Sequence, residues 1–139
     1  MIKVVIDTNI WISFMIGKTL KGFEKYLNKK VKIITSEEQI KEIVSVLRRE
    51  KFRKYFSTED IKELLFLILK ISELVDLKHN IFDCRDEKDN FILEMAVNGN
   101  ADIIVTGDKD LLVLHPYKNI LIINYKEFEE IMEKNFEGI

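Results

Sequence analysis

Asp7 closes the apolar run Ile2-Lys3-Val4-Val5-Ile6 and is followed by Thr8 and Asn9, turn-and-cap residues that lead into Ile10-Trp11-Ile12. A β-rich run that ends in an acid reads as a strand presenting a carboxylate at its carboxyl end. In parallel α/β sheets, ligands gather in the crevice outside those ends. The arrangement recurs downstream. Asp102-Ile-Ile-Val-Thr-Gly-Asp108-Lys-Asp110 carries two acids just beyond a strand, and Asp89 opens the helical stretch between the two runs. Acids so placed suggest a metal-dependent nuclease site, because carboxylates gathered at one sheet edge suit a hard cation that holds a phosphodiester.

Each acid also has a purely structural reading. Asp7 fits a turn or a helix N-cap. Asp89 lies on the inward stripe of its helix, with Ile92 and Ala96 further along the same face. Its competing role is to complement the dipole of the first turn, and Asp86, the predicted N-cap, can fill that role instead. Asp108 and Asp110 fit a capped loop after Thr106-Gly107, where glycine permits a close backbone path to a ligand. Glu37, Glu38 and Glu42 form a fourth acidic supply. The stripe Ile40, Ile43, Val44, Leu47 leaves Glu42 nearly opposite, and periodicity does not choose among the three glutamates.

Coulomb repulsion limits what a convergent set can be. Two carboxylates about 6 Å apart repel by roughly 3 kcal/mol at an effective dielectric of about 20. Three such pairs would consume much of a domain's typical stability of about 5–15 kcal/mol. The set therefore has to take up protons, recruit lysines or bind a divalent cation, and an all-oxygen site suits Mg²⁺ or Mn²⁺. Cys84, His79 and His115 show no zinc spacing, and the two histidines are predicted in loops.

The elements that must position these acids follow from the pattern. The chain has 139 residues, 47% apolar and 33% charged, with a formal net charge of −2. Those values fit one domain, 1–139, and argue against non-specific coating of nucleic acid without excluding a local basic patch. A single cysteine allows no internal disulfide, so reducing, cytoplasmic surroundings are expected. The longest apolar run, Leu64 to Leu69, is too short to cross a bilayer, and no membrane association is expected. Strands are predicted over Ile2 to Ile6, Val31 to Thr35, Val75 to Leu77, Asp102 to Val105 and Asn119 to Ile123. Helices are predicted from about Ile10 to Ile16 and Leu20 to Leu27, broken at Gly17. Others run from a Ser36–Gln39 capping box to about Arg49, and from Glu59 to about Leu74 behind a Ser57 or Thr58 cap. Further helices run from Asp86 to near Gly99, over Lys109 to Leu114, and onward from Asn124 with Glu127. Strands alternating with helices, and strands that are continuous Val/Ile runs, argue for a parallel sheet covered on both faces. Right-handed crossovers then bring Asp7 and the 106–110 loop to one edge. The segment Ile61 to Ile71 is apolar on more than one face, so it is predicted to be covered within the domain or by a second subunit.

Taken together, these residues resemble the PIN-domain ribonuclease family over nearly the full chain. The strand ending in Asp7-Thr8-Asn9 is similar to the family's opening motif. Ser36-xxx-Ile40-x-Glu42-Ile43 resembles the segment that carries its glutamate, which singles out Glu42. Asp89-Asn-Phe-Ile-Leu-Glu-Met-Ala96, followed by Asn98-Gly99, resembles its central helix. Ile104-Val105-Thr106-Gly107-Asp108-Lys109-Asp110-Leu111 resembles its final motif. The resemblance implies a three-layer α/β/α fold with a five-stranded parallel sheet in the order 3-2-1-4-5. It implies catalytic, metal-binding places for Asp7, Glu42, Asp89 and Asp108, with Asp110 as a further metal residue and Thr8, Asn9 and Thr106 in support. It also implies Mg²⁺- or Mn²⁺-dependent endonucleolytic cleavage of single-stranded RNA, and homodimers. Arg85-Asp-Glu-Lys-Asp89-Asn and Thr-Gly-Asp-Lys-Asp-Leu are most similar to the branch of toxins from toxin–antitoxin pairs, which implies a small antitoxin partner.

RNA approaching an acidic cleft needs cations beside it. Arg48-Arg49-Glu50-Lys51-Phe52-Arg53-Lys54-Tyr55 is the densest basic stretch, with aromatics interleaved, so Arg48, Arg49, Lys51, Arg53 and Lys54 are the candidate RNA-binding residues. The structural alternative is that these cations complement a helix C-terminus. Two rival functions remain: a PIN-like domain that binds RNA or protein without cutting, and a phosphoacceptor receiver domain. The second wants paired acids after the first strand and a lysine after the last, where this chain has Asp7 alone and Asn124-Tyr125.

Overall fold

The computed structural model describes residues 1–17, 20–27 and 30–137, with side chains described throughout except at 20–21 and 135–137. Five strands, β1 (Ile2–Ile6), β2 (Val31–Thr35), β3 (Ser72–Leu74), β4 (Ile103–Val105) and β5 (Leu121–Ile123), form one parallel sheet in the order β3-β2-β1-β4-β5. The expected order is the observed one. It differs from the 2-1-3-4-5 order of receiver-type sheets, which removes that rival. Seven α-helices are described: α1 (Thr8–Gly17), α2 (Leu20–Glu24), α3 (Glu37–Leu47), α4 (Thr58–Ile71), α5 (Asn90–Asn98), α6 (Lys109–Leu112) and α7 (Tyr125–Glu137). The break predicted at Gly17 is not there, because Gly17 is the last residue of α1; residues 18–19, which follow, lie outside the described residues.

Strand residues alternate between two cores, as pleating requires. Val4, Ile6, Ile33, Ile103 and Val105 face α1, α3, α4 and α7, where Trp11, Phe14, Ile43, Leu64, Ile68 and Phe128 pack. Val5, Ile34, Ile104 and Ile122 face α5 and α6, against Ile92, Leu93, Met95, Ala96 and Leu111. Burial on both faces is why the strands are unbroken Val/Ile runs rather than alternating ones. A three-layer α/β/α sandwich results.

Two expectations need correction. The third strand was expected at Val75 to Leu77 but occupies Ser72–Leu74, pairing Ile33 with Ser72 and Thr35 with Leu74. α4 stops three residues early because Ser72 is already extended, with φ −113° and ψ 154°. This strand lies at the sheet edge and is largely exposed, so it carries no apolar signature. Second, Ser36 caps α3 by accepting from the Gln39 N–H at 3.2 Å, but the Gln39 side chain does not close a capping box. Its amide instead donates to the Ile6 carbonyl and accepts from the Thr35 hydroxyl at 2.6 Å. α4 buries Ile61, Leu64 and Ile68 against the core and leaves Phe66 75% and Leu69 52% exposed, so among the described residues one apolar face is covered and the other is open.

Gly99 caps α5 at φ −91°, and Asn100 takes the left-handed conformation at φ 53°. Closeness, not backbone conformation, requires the glycine: a Cβ there would meet Ile34 Cγ2 at 2.6 Å and the Met95 carbonyl at 3.0 Å. Gly107, by contrast, would carry a Cβ into open space. Gly99→Ala should therefore lower unfolding stability by about 1–3 kcal/mol in urea titrations, the usual cost of overpacking, and Gly107→Ala should leave it within about 0.5 kcal/mol of wild type.

Candidate active site at the carboxyl edge of the sheet

The chain turns outward from β1 in both directions, to β2 and β3 on one side and β4 and β5 on the other. The crevice at such a switch point lies between β1 and β4, and Asp7 and Thr106 follow those two strands directly. The Asp7 N–H donates to the Val105 carbonyl at 2.9 Å, so the pairing runs to the last residue before the site. Asp7 is only 5% exposed. The Thr106 hydroxyl donates to one of its carboxylate oxygens at 2.6 Å and the Asn9 N–H approaches the other at 3.4 Å. The same Thr106 oxygen accepts the Asp108 N–H at 3.0 Å, joining the two strand ends through one side chain. Burial pushes the Asp7 carboxyl above its ordinary range, the Thr106 and Asn9 bonds pull it back, and nearby Asp108 raises it further.

Asp89 enters from the other layer. Asp86 caps the 3₁₀ turn Glu87–Asp89 through Lys88 N–H at 3.1 Å, so that end of the helix is served without Asp89. Asp89 stands at the N-cap of α5, yet its side chain makes no capping bond, and its Oδ2 is buried with no hydrogen-bond partner. Its capping alternative therefore fails. Burial, then a carboxyl-to-carboxyl contact with Asp108, then the charges of Asp108, Asp7 and Asp86, push Asp89 up to about 7. Asp108 meanwhile caps α6, accepting the Asp110 N–H at 2.8 Å, so it is a loop cap and a member of the acidic group together. Asp110 lies in the first turn of α6, and its carbonyl is 3.7 Å from the buried Cys84 thiol. Burial raises the Cys84 thiol, and Asp89, Asp108 and Asp110 raise it further.

Glu42 is exposed to solvent on α3, but it borders this group. Burial, then the Asp7 charge, raise its carboxyl, while Thr8 and Arg49 act the other way. The Thr8 hydroxyl is buried and makes no hydrogen bond of good geometry, yet it lies near enough to favour the Glu42 charge. The side of α3 opposite its main apolar stripe thus looks onto the sheet edge. Asn9 is exposed and contributes its backbone N–H. Arg49 is the one cation of the basic stretch that reaches the electrostatic neighbourhood of Glu42. Two others are turned to local duties: Arg53 Nε donates to the Arg48 carbonyl at 3.4 Å, and Lys51 lies over the Phe52 ring at 5.0 Å. Arg48 is the C-cap of α3, and Lys54 is exposed. The basic stretch is therefore in part the helix-end complement that was the alternative reading. Gln39 was missed as a site residue. Fully buried, it fixes the Ile6 carbonyl just before Asp7. A glutamine three residues after a serine reads from sequence as half of a capping box, which hid that role.

Among the described residues, no three Asp, Glu, His or Cys side chains meet closely enough to enclose an ion unaided. The donors nevertheless fit a hard divalent cation. They are all oxygens, Asp89 Oδ2 is an orphaned buried acceptor, and Asp7, Glu42 and Asp89 all have their charged forms disfavoured at one place. A cation such as Mg²⁺ keeps several waters and takes only one or two carboxylates plus substrate phosphate, so a loosely gathered set suffices.

Residues 3–110 match the family model described as PIN domain. The chain belongs to the PIN-domain family. An uncharacterized protein of Methanocaldococcus jannaschii, MJ1680, is 37% identical over 145 residues, covering 96% of this chain and 93% of that protein. The Detocs histidine-protein kinase DtcA of Enterobacter cloacae is 25% identical over 101 residues, 66% of this chain but 9% of the kinase, too small a share to bear on activity. In solved structures, a chain of VapBC2 from Rickettsia felis, bound to a DNA fragment from the promoter, superimposes with a TM-score of 0.60. That match is 17% identical and covers 88% of this chain and 98% of the other, and it shows the shared PIN fold.

The raised acids set a pH dependence. A folded-state pKa of about 7 for Asp89, against an ordinary 3.8, means the folded protein holds a proton that the unfolded chain has released. The sign is that metal-free stability falls as pH rises from about 4 to about 7. Thermal melts in chelator should show this fall in wild type and a flatter profile in Asp89→Asn; identical profiles would place no such proton on Asp89.

Proposed function

We propose that this PIN domain is a metal-dependent endoribonuclease acting on single-stranded RNA, the cytoplasmic toxin of a toxin–antitoxin pair. The observation that carries the reading is the gathering of Asp7, Glu42, Asp89 and Asp108 at the sheet's switch point, with burial and mutual repulsion disfavouring the charged forms of Asp7, Glu42 and Asp89. PIN domains are generally nucleases, and the VapBC2 fold match supports a toxin-like role. Asp7, Glu42, Asp89 and Asp108 would hold Mg²⁺ or Mn²⁺, with Asp110 positioned by its backbone on the Asp108 carboxylate. Bound there, such a cation supplies Lewis-acid polarisation of a phosphodiester and lowers the pKa of a bound water.

The chain's own residues do the rest. Thr106 orients Asp7, Gln39 holds the strand end beneath it, and Thr8 lies beside Glu42. Arg49 offers a cation for the RNA phosphate next to the acids, and Arg48 and Lys54 extend that grip. A cation there would favour the charged form of Asp89, so activity should rise with pH up to about 7. The homodimer belongs to the reading as well: Phe66 and Leu69 on the open face of α4 are the apolar surface that a second copy would cover.

Purified protein incubated with single-stranded RNA and Mn²⁺ or Mg²⁺ tests this reading. Wild type should cut. Asp7→Asn and Asp89→Asn should be silent with unchanged circular dichroism, and Glu42→Gln should cost far more than Glu37→Gln or Glu38→Gln. RNA binding without any cutting by wild type would leave a binding module instead. A companion measurement concerns the positioning of Asp7. Thr106→Val keeps the shape and removes the hydroxyl, and should lower metal affinity or turnover by about 10- to 100-fold, as loss of an outer partner does. Unchanged metal affinity and turnover would mean that Asp7 needs no such support.

A further inference from the structure

The segment between β3 and α5 is stitched to one side of that helix by three residues at helical spacing. Asn98 Nδ2 donates to the Asp76 carbonyl at 2.7 Å. Glu94, 2% exposed, accepts the His79 N–H at 2.6 Å on one carboxylate oxygen and the Ile81 N–H at 3.0 Å on the other. Asn90 Oδ1 accepts the Cys84 N–H at 2.9 Å. Residues four apart lie one above another on a helix, so the loop runs antiparallel to α5 and is pinned at both ends and in the middle. Between two of the pins the chain holds the Phe82 ring out in water, 78% exposed. The ring lines a cavity of about 310 Å³ with His79, Phe91, Glu87 and Lys88. Lys88 immediately precedes Asp89 in the chain.

A large aromatic fixed outward on a braced backbone loses no loop entropy when something flat settles on it. A cavity this small, at the low end of ligand pockets of roughly 300–1,000 Å³, takes one ring system rather than a helix. A lysine beside an aromatic face suits a base and its own phosphate. We propose that Phe82 and Lys88, which line this one cavity, form a nucleobase subsite that seats one unpaired base of the RNA, one residue along the chain from Asp89. This rests on the ribonuclease reading above and adds to it the place where the strand is gripped on the α5 side.

The test measures binding of short single-stranded oligoribonucleotides to the full chain in chelator, where no turnover intervenes, and cleavage separately with Mn²⁺. Phe82→Ala should weaken binding by about tenfold, within the range of one base–aromatic stack, and raise KM with kcat little changed. Phe82→Trp should restore both, and Val113→Ala, at an equally exposed apolar position, should change neither. With an abasic nucleotide stepped along the oligonucleotide, wild type should lose affinity at one position, and Phe82→Ala should lose nothing further there. If wild type cuts RNA and Phe82→Ala binds and cuts like it, the subsite is overturned while the nuclease stands. If wild type neither binds nor cuts RNA, both readings fall together. A changed sedimentation coefficient for Phe82→Ala with unaltered RNA affinity would assign the ring to contact between copies and likewise overturn the subsite.

Discussion

Burying the Asp7 carboxylate strips water from a charge, and in this chain the compensation comes from neutral donors. A threonine hydroxyl and a backbone N–H fix where the carboxylate sits, but neither supplies a positive charge. The burial cost is therefore only partly offset, and the carboxyl stays shifted toward its protonated form. Much of the sheet's carboxyl edge follows from that constraint. Thr106 has to be a hydroxyl residue because it donates to Asp7 and accepts from Asp108, linking β1 to the loop after β4. Gln39 has to be a long amide because it spans from α3 to the Ile6 carbonyl and to Thr35. These groups give the edge rigidity without neutralising it.

The opposite layer supplies the complementary half of the problem. Asp89 is delivered at the start of α5 to the Asp108 carboxyl, and burial together with that contact pushes it toward its protonated form. Delivery depends on the length of α5 and on how the preceding segment is tied down. The Asn90, Glu94 and Asn98 bonds fix that segment, Asp86 takes over the capping, and Gly99 lets α5 lie close on Ile34. Local structure here serves placement: the capping duty is moved one turn away, which leaves the Asp89 side chain free of it.

Much of this was legible in the sequence, for reasons that differ by residue. Strands β1, β2 and β4 were visible because burial on both faces demands unbroken Val/Ile runs, and the sheet order followed the family resemblance. Asp7, Asp89 and Asp108 could be named as candidates because acids recurred after apolar strands and on an apolar helical stripe, although each also had a structural reading as a cap or turn residue. Glu42 could not be chosen by periodicity, since the hydrophobic stripe reports where the core is and not where an open cleft begins. β3 was misplaced because an edge strand of three mostly exposed residues leaves no apolar trace. The Gln39 bridge and the Glu94 clamp were invisible for another reason. Their partners are backbone groups distant in sequence, and a carbonyl or N–H has the same identity in every residue.

The charge at this edge also bears on what a site of this kind is for. RNA is a polyanion, and a surface that merely bound it would gain from lysines at the strand ends and lose from carboxylates there. This chain does the reverse, placing acids where the phosphate would come and keeping Arg49 at the margin, beside Glu42. Such an arrangement carries two costs, desolvation of buried carboxyls and repulsion of the ligand. A divalent cation held by these acids would relieve both. On the nuclease reading proposed above, weak RNA affinity without the cation and strong dependence on it would follow from this arrangement of charge.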